Sequence, residues 1–178
     1  MKKLISLCTA AVLCLSLLSA CGAPNQGDAP SDTPSDTPAV KDANLADFAA
    51  AVQENHEFAA LEKADPADEE LGAIMLENNY PGLKDMDLEQ VEVYLPMISF
   101  SGGELALVQA KSAEDAAEVK KIFQARIDAK GTDGPGNYPE EVEMWQRSAQ
   151  VVENGAYVML VCHGDADAIV EEFNALFA

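Results

Sequence analysis

Cys162-His163-Gly164-Asp165-Ala166-Asp167 is the densest set of reactive side chains in the sequence. A thiol, an imidazole and two carboxylates are donor types that bind a divalent ion. The same residues also suit an ordinary strand-to-helix junction. Cys162 closes an apolar run, Gly164 turns the chain, and Asp165 and Asp167 oppose the positive end of a helix dipole. Strand alternation sends Cys162 and His163 to opposite faces. The junction reading is preferred, so neither a metal site nor a cofactor is expected. The other histidine, His56, sits late in a helix and reads as a surface or C-terminal-turn residue rather than a ligand or base. Asp128 to Asp133 lacks the spaced oxygen ligands of a calcium loop and carries Lys130 inside it. There is no Gly-x-Ser-x-Gly nucleophile motif. Ser101-Gly102-Gly103 belongs to a hairpin rather than a phosphate cradle. With 31 acidic residues in the chain, chance pairs of carboxylates are expected and carry no information.

A second reactive residue stands near the start. Met1-Lys2-Lys3 is basic, Leu4 to Leu18 is apolar apart from Ser6, Thr9 and Ser16, and Leu18-Ser19-Ala20-Cys21 follows. The run is short for a membrane span, which needs roughly 20 apolar residues. A basic start, a short apolar stretch and small residues are the features of a secretory leader. Leu18, Ser19, Ala20 and Cys21 resemble the lipobox of bacterial lipoproteins. That resemblance implies cleavage before Cys21 and a diacylglycerol thioether on its sulfur. Two or more acyl chains anchor a protein stably where a single chain does not. The expected partner is therefore a lipid bilayer, on the extracytoplasmic face of the cell membrane.

Three regions follow: 1–20 is a lipoprotein signal peptide, 21–41 is the lipidated Cys21 with its linker, and 42–178 is the folded domain. The linker repeats Ser31-Asp32-Thr33-Pro34 as Ser35-Asp36-Thr37-Pro38, a composition that cannot bury apolar surface and should stay extended. Of the four cysteines, Cys8 and Cys14 leave with the leader and Cys21 takes lipid. Only Cys162 remains, which excludes an intrachain disulfide. The net charge is −20, and loss of Lys2 and Lys3 makes it more negative by two. No basic stripe exists to neutralise phosphates, so nucleic acid is excluded as a partner.

The domain reads as α+β. Leu45, Phe48, Ala49 and Val52 form the stripe of a first helix from Asp42 to about Leu61. Asp65 caps a second, whose apolar face is Leu71, Ile74 and Met75. Val91, Val93 and Leu95 alternate as a strand. Pro96 interrupts it, which predicts an edge or a bulge. Met97 to Phe100 lead to the turn, and Leu105 to Ala110 returns. Ser112 caps a third helix lined by Ala116, Val119, Phe123 and Ile127. Gly131 to Asn137 is a loop, and Pro139 opens a fourth helix with Val142 and Trp145 inward. Ala149 to Glu153 and Tyr157 to Cys162 are strands joined at Asn154-Gly155, a type I′ signal. The second of these is apolar on both faces and should be central. Ala166, Ile169, Val170, Phe173 and Phe177 make a last helix. The result is an antiparallel four-stranded sheet built from two strand–strand–helix units, behind two N-terminal helices.

This order resembles DUF4358, a domain of unknown function in Gram-positive lipoproteins. The matching features are the lipobox, Tyr94-Leu95-Pro96-Met97, Tyr138-Pro139 and Asn154-Gly155-Ala156-Tyr157-Val158. The resemblance covers about Leu45 to Phe177. Its motifs are structural, so it implies no active site.

The functional expectation is a non-enzymatic binding or interaction module on a membrane tether. The alternative is a cell-envelope hydrolase with a carboxylate-based site. Tyr94, Pro96, Tyr138 and Trp145 are the candidate partner patch, and the surrounding acids would steer a cationic protein or peptide to it.

Overall fold

The computed structural model describes residues 42–97, 103–132 and 138–178. The leader, the lipobox, the linker, Ser101-Gly102 and most of the Gly131–Asn137 loop lie outside these residues.

Five helices and five strands are present among the described residues: α1 (Leu45–Asn55), β1 (Leu61–Lys63), α2 (Gly72–Asn79), β2 (Leu88–Pro96), β3 (Glu104–Ala110), α3 (Ala113–Lys130), α4 (Pro139–Ser148), β4 (Ala149–Asn154), β5 (Tyr157–Cys162) and α5 (Ala166–Ala175). The strands form one antiparallel sheet in the order β1-β2-β3-β5-β4. The sheet therefore has five strands rather than four.

The additional strand is β1. The first helix ends at His56, whose backbone is extended, and not at Leu61. Leu61 to Lys63 then pair with Pro96 to Tyr94. Three residues are too few to show an alternation. Because β1 covers it, β2 is an interior strand and Pro96 does not mark an edge. Val93 and Met97 bond toward β1, through Ala64 N–H to Val93 O at 2.8 Å and Met97 N–H to Ala60 O at 3.2 Å. Pro96 thus faces the β3 side, beyond Tyr94–Leu105, the last pair of that ladder. Its missing donor removes no ladder bond there.

Alternation divides the core into two layers. Leu105, Leu107, Tyr157, Met159 and Val161 face one side and meet Leu45, Phe48, Ala49 and Val52 of α1 and Ile169 and Phe173 of α5. Ala106, Val108, Val158, Leu160 and Cys162 face the other and meet α2, α3 and α4 through Leu76, Phe123 and Trp145. Every residue of β5 is buried, as expected of a doubly covered strand. The two strand–strand–helix units hold in element order, but α3 and α5 pack on opposite faces. The two N-terminal helices are separated in the same way.

Two local expectations shift. Asp65 and Asp68 accept from nearby backbone N–H groups, Asp65 from Ala67 and Asp68 from Glu70 and Leu71. These side chains stabilise turns, so α2 begins only at Gly72. Its buried residues are Gly72 and Leu76, while Leu71 and Ile74 are each 53 % exposed. In the hairpin, Asn154 is still in the strand opposite Tyr157, and the two-residue loop is Gly155-Ala156, with Gly155 at φ 60°. Ser112 caps α3 as expected, accepting from Asp115 N–H.

Gly72 supplies the first prediction. Helix propensity alone would favour Gly72→Ala by about 1 kcal/mol. A Cβ there would lie 2.0 Å from the Asp65 carbonyl oxygen, a backbone atom that cannot step aside cheaply. Gly72→Ala should lower the thermal midpoint followed by circular dichroism. A raised midpoint would contradict this packing.

The start of the domain is firmly held. Ala43 N–H donates to the Tyr157 hydroxyl at 3.2 Å, and Gln90 receives Leu45 N–H and donates to Ala43 O. The first helix is thus fixed to the sheet at its first residue, Leu45, and just before it, at Ala43.

Candidate functional site

The two histidines, far apart in sequence, meet at one end of the sheet. His56 caps the C-terminus of α1, His163 follows β5 directly, and Asp165 precedes α5. His56 Nδ1 lies 3.2 Å from Asp165 Oδ2, and His56 Nε2 lies 3.2 Å from Glu172 Oε1. His163 Nδ1 is 4.0 Å from the same Asp165 oxygen. Its other nitrogen, Nε2, is 3.3 Å from the Glu57 carbonyl, which assigns the proton to Nε2. The Phe58 ring packs on His163 with centroids 4.3 Å apart and limits its rotation. The histidine side chains are 9 % and 14 % exposed, against 61 % for Asp165 and 42 % for Glu172. The cluster therefore has a buried floor and an open acidic rim. Burial opposes charge on His56, but the Asp165 and Glu172 carboxylates outweigh it, and the ring titrates above its ordinary value.

A second charged cluster lies within the α2–α3–α4 layer. Glu104, fully buried, accepts two bonds from Arg126, from Nε at 3.0 Å and from Nη2 at 2.7 Å. The Tyr80 hydroxyl donates to the same carboxylate. The Arg126 guanidinium lies over two rings, 5.5 Å from the Trp145 centroid and 5.7 Å from that of Tyr80. Burial raises the Tyr80 hydroxyl well above its ordinary value, and the Glu104 charge adds to it. Nearby, Glu141 accepts from Lys130 Nζ at 2.6 Å. Burial pushes the Cys162 thiol up to about 12, helped by Glu104 and Glu141. Cys162 is thus a neutral core side chain rather than a nucleophile. It faces the layer opposite to the histidines, and Asp167 bonds to Gln150 instead of joining them.

The four expected patch residues do not form one surface. Tyr94 packs with the α1–α5 layer and donates to Glu92 at 2.8 Å. Trp145 is 2 % exposed in the other layer, while Tyr138, just before α4, is 49 % exposed. Pro96 borders a small groove with Met75, Met97 and Lys130. A larger groove of about 430 Å³ runs along α3 between Pro81 and Ala129. Treating each histidine alone hid their meeting. Glu104 did carry a signal, because it shares the phase of Ala106 and Val108 on β3, and Arg126 extends the stripe of Val119 and Phe123.

An antiparallel sheet with helices on both faces and a charged cluster at one end defines an α+β domain of mixed layers. Residues 63–163 match the domain of unknown function DUF4358, and the chain belongs to that family. No curated protein and no solved structure matches it. Among the described residues, no helix is long and apolar enough to cross a membrane.

Proposed function

We propose that the chain is a Gram-positive type lipoprotein, anchored through Cys21 on the extracytoplasmic face of the cell membrane, whose acidic domain is a non-enzymatic binding or interaction module. The observation that carries it is Leu18-Ser19-Ala20-Cys21 between an apolar leader and a Pro/Ser/Asp/Thr linker. A domain 42–178 on such a linker stands clear of the lipid headgroups. Its acidic surface favours a cationic protein or peptide partner, with binding that weakens as salt rises.

The hydrolase alternative rests on Glu141, whose Oε2 is buried with no hydrogen-bond partner among the described residues. Against it, the Glu141 side chain is 2 % exposed and its other oxygen is held by Lys130. A substrate would have to displace packed core to reach it. Glu104 is likewise committed to Arg126. The two most buried carboxylates are thus spent on ion pairs within the fold, which supports the binding reading.

Cys21→Ala should abolish incorporation of radiolabelled fatty acid and release the protein from the membrane fraction. Continued labelling and membrane retention of that variant would refute the anchor. Crosslinking in intact cells with the wild-type chain then tests for the partner.

A further inference from the structure

We infer that His56, His163 and Asp165 form a binding site for one zinc-class divalent transition-metal ion, with Glu172 on its rim. One ligand atom from each of the three residues comes within 4.8 Å of the other two. Tetrahedral zinc holds nitrogen and oxygen ligands at about 2.0–2.2 Å, which places the ligands roughly 3.3–3.6 Å from one another. The His56 Nδ1–Asp165 Oδ2 edge, at 3.2 Å, is already near that spacing, and the His163 Nδ1–Asp165 Oδ2 edge, at 4.0 Å, needs a small closure. The exposed Asp165 side chain can make that movement.

The surroundings resemble a ligand's setting as well as the distances do. Metal-bound histidines hold their second ring nitrogen against a carbonyl or carboxylate, which sets the tautomer and the ring plane. His163 does so through Nε2 and Glu57 O, at 3.3 Å, and leaves the Nδ1 lone pair toward Asp165. His56 does so through Nε2 and Glu172 Oε1, at 3.2 Å. Asp165 N–H donates to His163 Nδ1 at 3.1 Å, and a bound ion would take that lone pair in its place. His56 spans the two carboxylates through its two ring nitrogens, so an ion bound at Nδ1 would sit between that nitrogen and Asp165 while Nε2 keeps its contact with Glu172. Two imidazoles and one carboxylate leave the fourth position open to water or a partner's side chain. Imidazole donors select zinc-class ions over calcium or magnesium, which prefer oxygen. His56 and Asp165 both lie outside the matched residues 63–163, so the site is completed by the elements that flank the family match.

The test is titration of zinc sulfate into the full chain, purified in detergent without an affinity tag. The wild type should take up one equivalent more than a His56→Gln/His163→Gln double variant. Each single variant should weaken that binding at least about tenfold. Glutamine keeps a hydrogen-bond donor at each position but no ring nitrogen. Excess calcium or magnesium should not compete. Equal uptake by wild type and double variant, or none by either, would reduce the cluster to an ion-pair contact between α1 and α5 and overturn the site. A measurement without variants guards against misfolding: zinc added to ¹⁵N-labelled wild type should move both histidine ring nitrogens, and unmoved signals also overturn it. The site does not depend on the tether, so Cys21→Ala should bind zinc as the wild type does.

Discussion

Arg126→Met should lower the domain's stability by about 3–5 kcal/mol, the usual cost of removing one partner from a buried ion pair. Glu104 is fully buried and receives both Arg126 bonds, so the variant strands a carboxylate with only the Tyr80 hydroxyl left to it among the described residues. The carboxylate must then take up a proton or draw in water, and either event weakens the layer. The guanidinium also lies over the Tyr80 and Trp145 rings, so its loss opens space between them. Glu104→Gln should cost less than Arg126→Met, because Arg126 is 11 % exposed and keeps some access to solvent. The double variant Glu104→Leu/Arg126→Met should cost clearly less than the sum of its single changes, since it leaves no buried charge behind. Urea unfolding followed by far-ultraviolet circular dichroism reads these differences. Fluorescence would mislead, because the chain's one tryptophan is the ring under Arg126. A cost for Arg126→Met below about 1 kcal/mol, the range of exposed pairs, would show that the pair does not hold this layer.

The regular parts of this fold were readable because they bury one periodic face. The stripes of α1, α3 and α5 lie on the core as their spacing predicts. The all-apolar run Tyr157 to Cys162 sits between β3 and β4 with both faces covered. What escaped reading depends on long-range pairing or on very short elements. Three residues of β1 carry no period, yet they turn β2 into an interior strand and remove the edge that Pro96 implied. Asp65 is a good helix cap in isolation, but Asp65 and Asp68 spend their oxygens on turn amides and postpone α2 to Gly72. The sequence repeat concealed an asymmetry, because the side of the sheet a helix takes is set by the packing of the whole layer. The histidine cluster joins α1 to the β5–α5 junction, and no local pattern links residues so far apart. Glu104 and Arg126 share the phase of buried neighbours, but phase alone does not tell that two charged side chains pair inside the core.

Trp145→Ala should be the second large loss, about 3–5 kcal/mol, the range for removing a large buried aromatic. The indole is 2 % exposed, shares a core with Tyr80, Phe123 and Leu160, and supports the Arg126 guanidinium. Truncation would leave a cavity and would also loosen the arginine that neutralises Glu104, so the two effects should couple. Tyr138→Ala, at a side chain 49 % exposed just before α4, should by contrast cost less than about 1 kcal/mol, since surface positions rarely cost more. Tyr94→Ala should fall between them, because it loses packing against the α1–α5 layer and the bond to Glu92. Equilibrium unfolding of the three variants gives the order directly. If it holds, Trp145 is core, and Tyr138 is the member of the expected patch whose removal can test partner capture without disturbing the fold. If Trp145→Ala unfolds no more easily than Tyr138→Ala, the indole contributes little to the core, and the patch reading regains its largest aromatic.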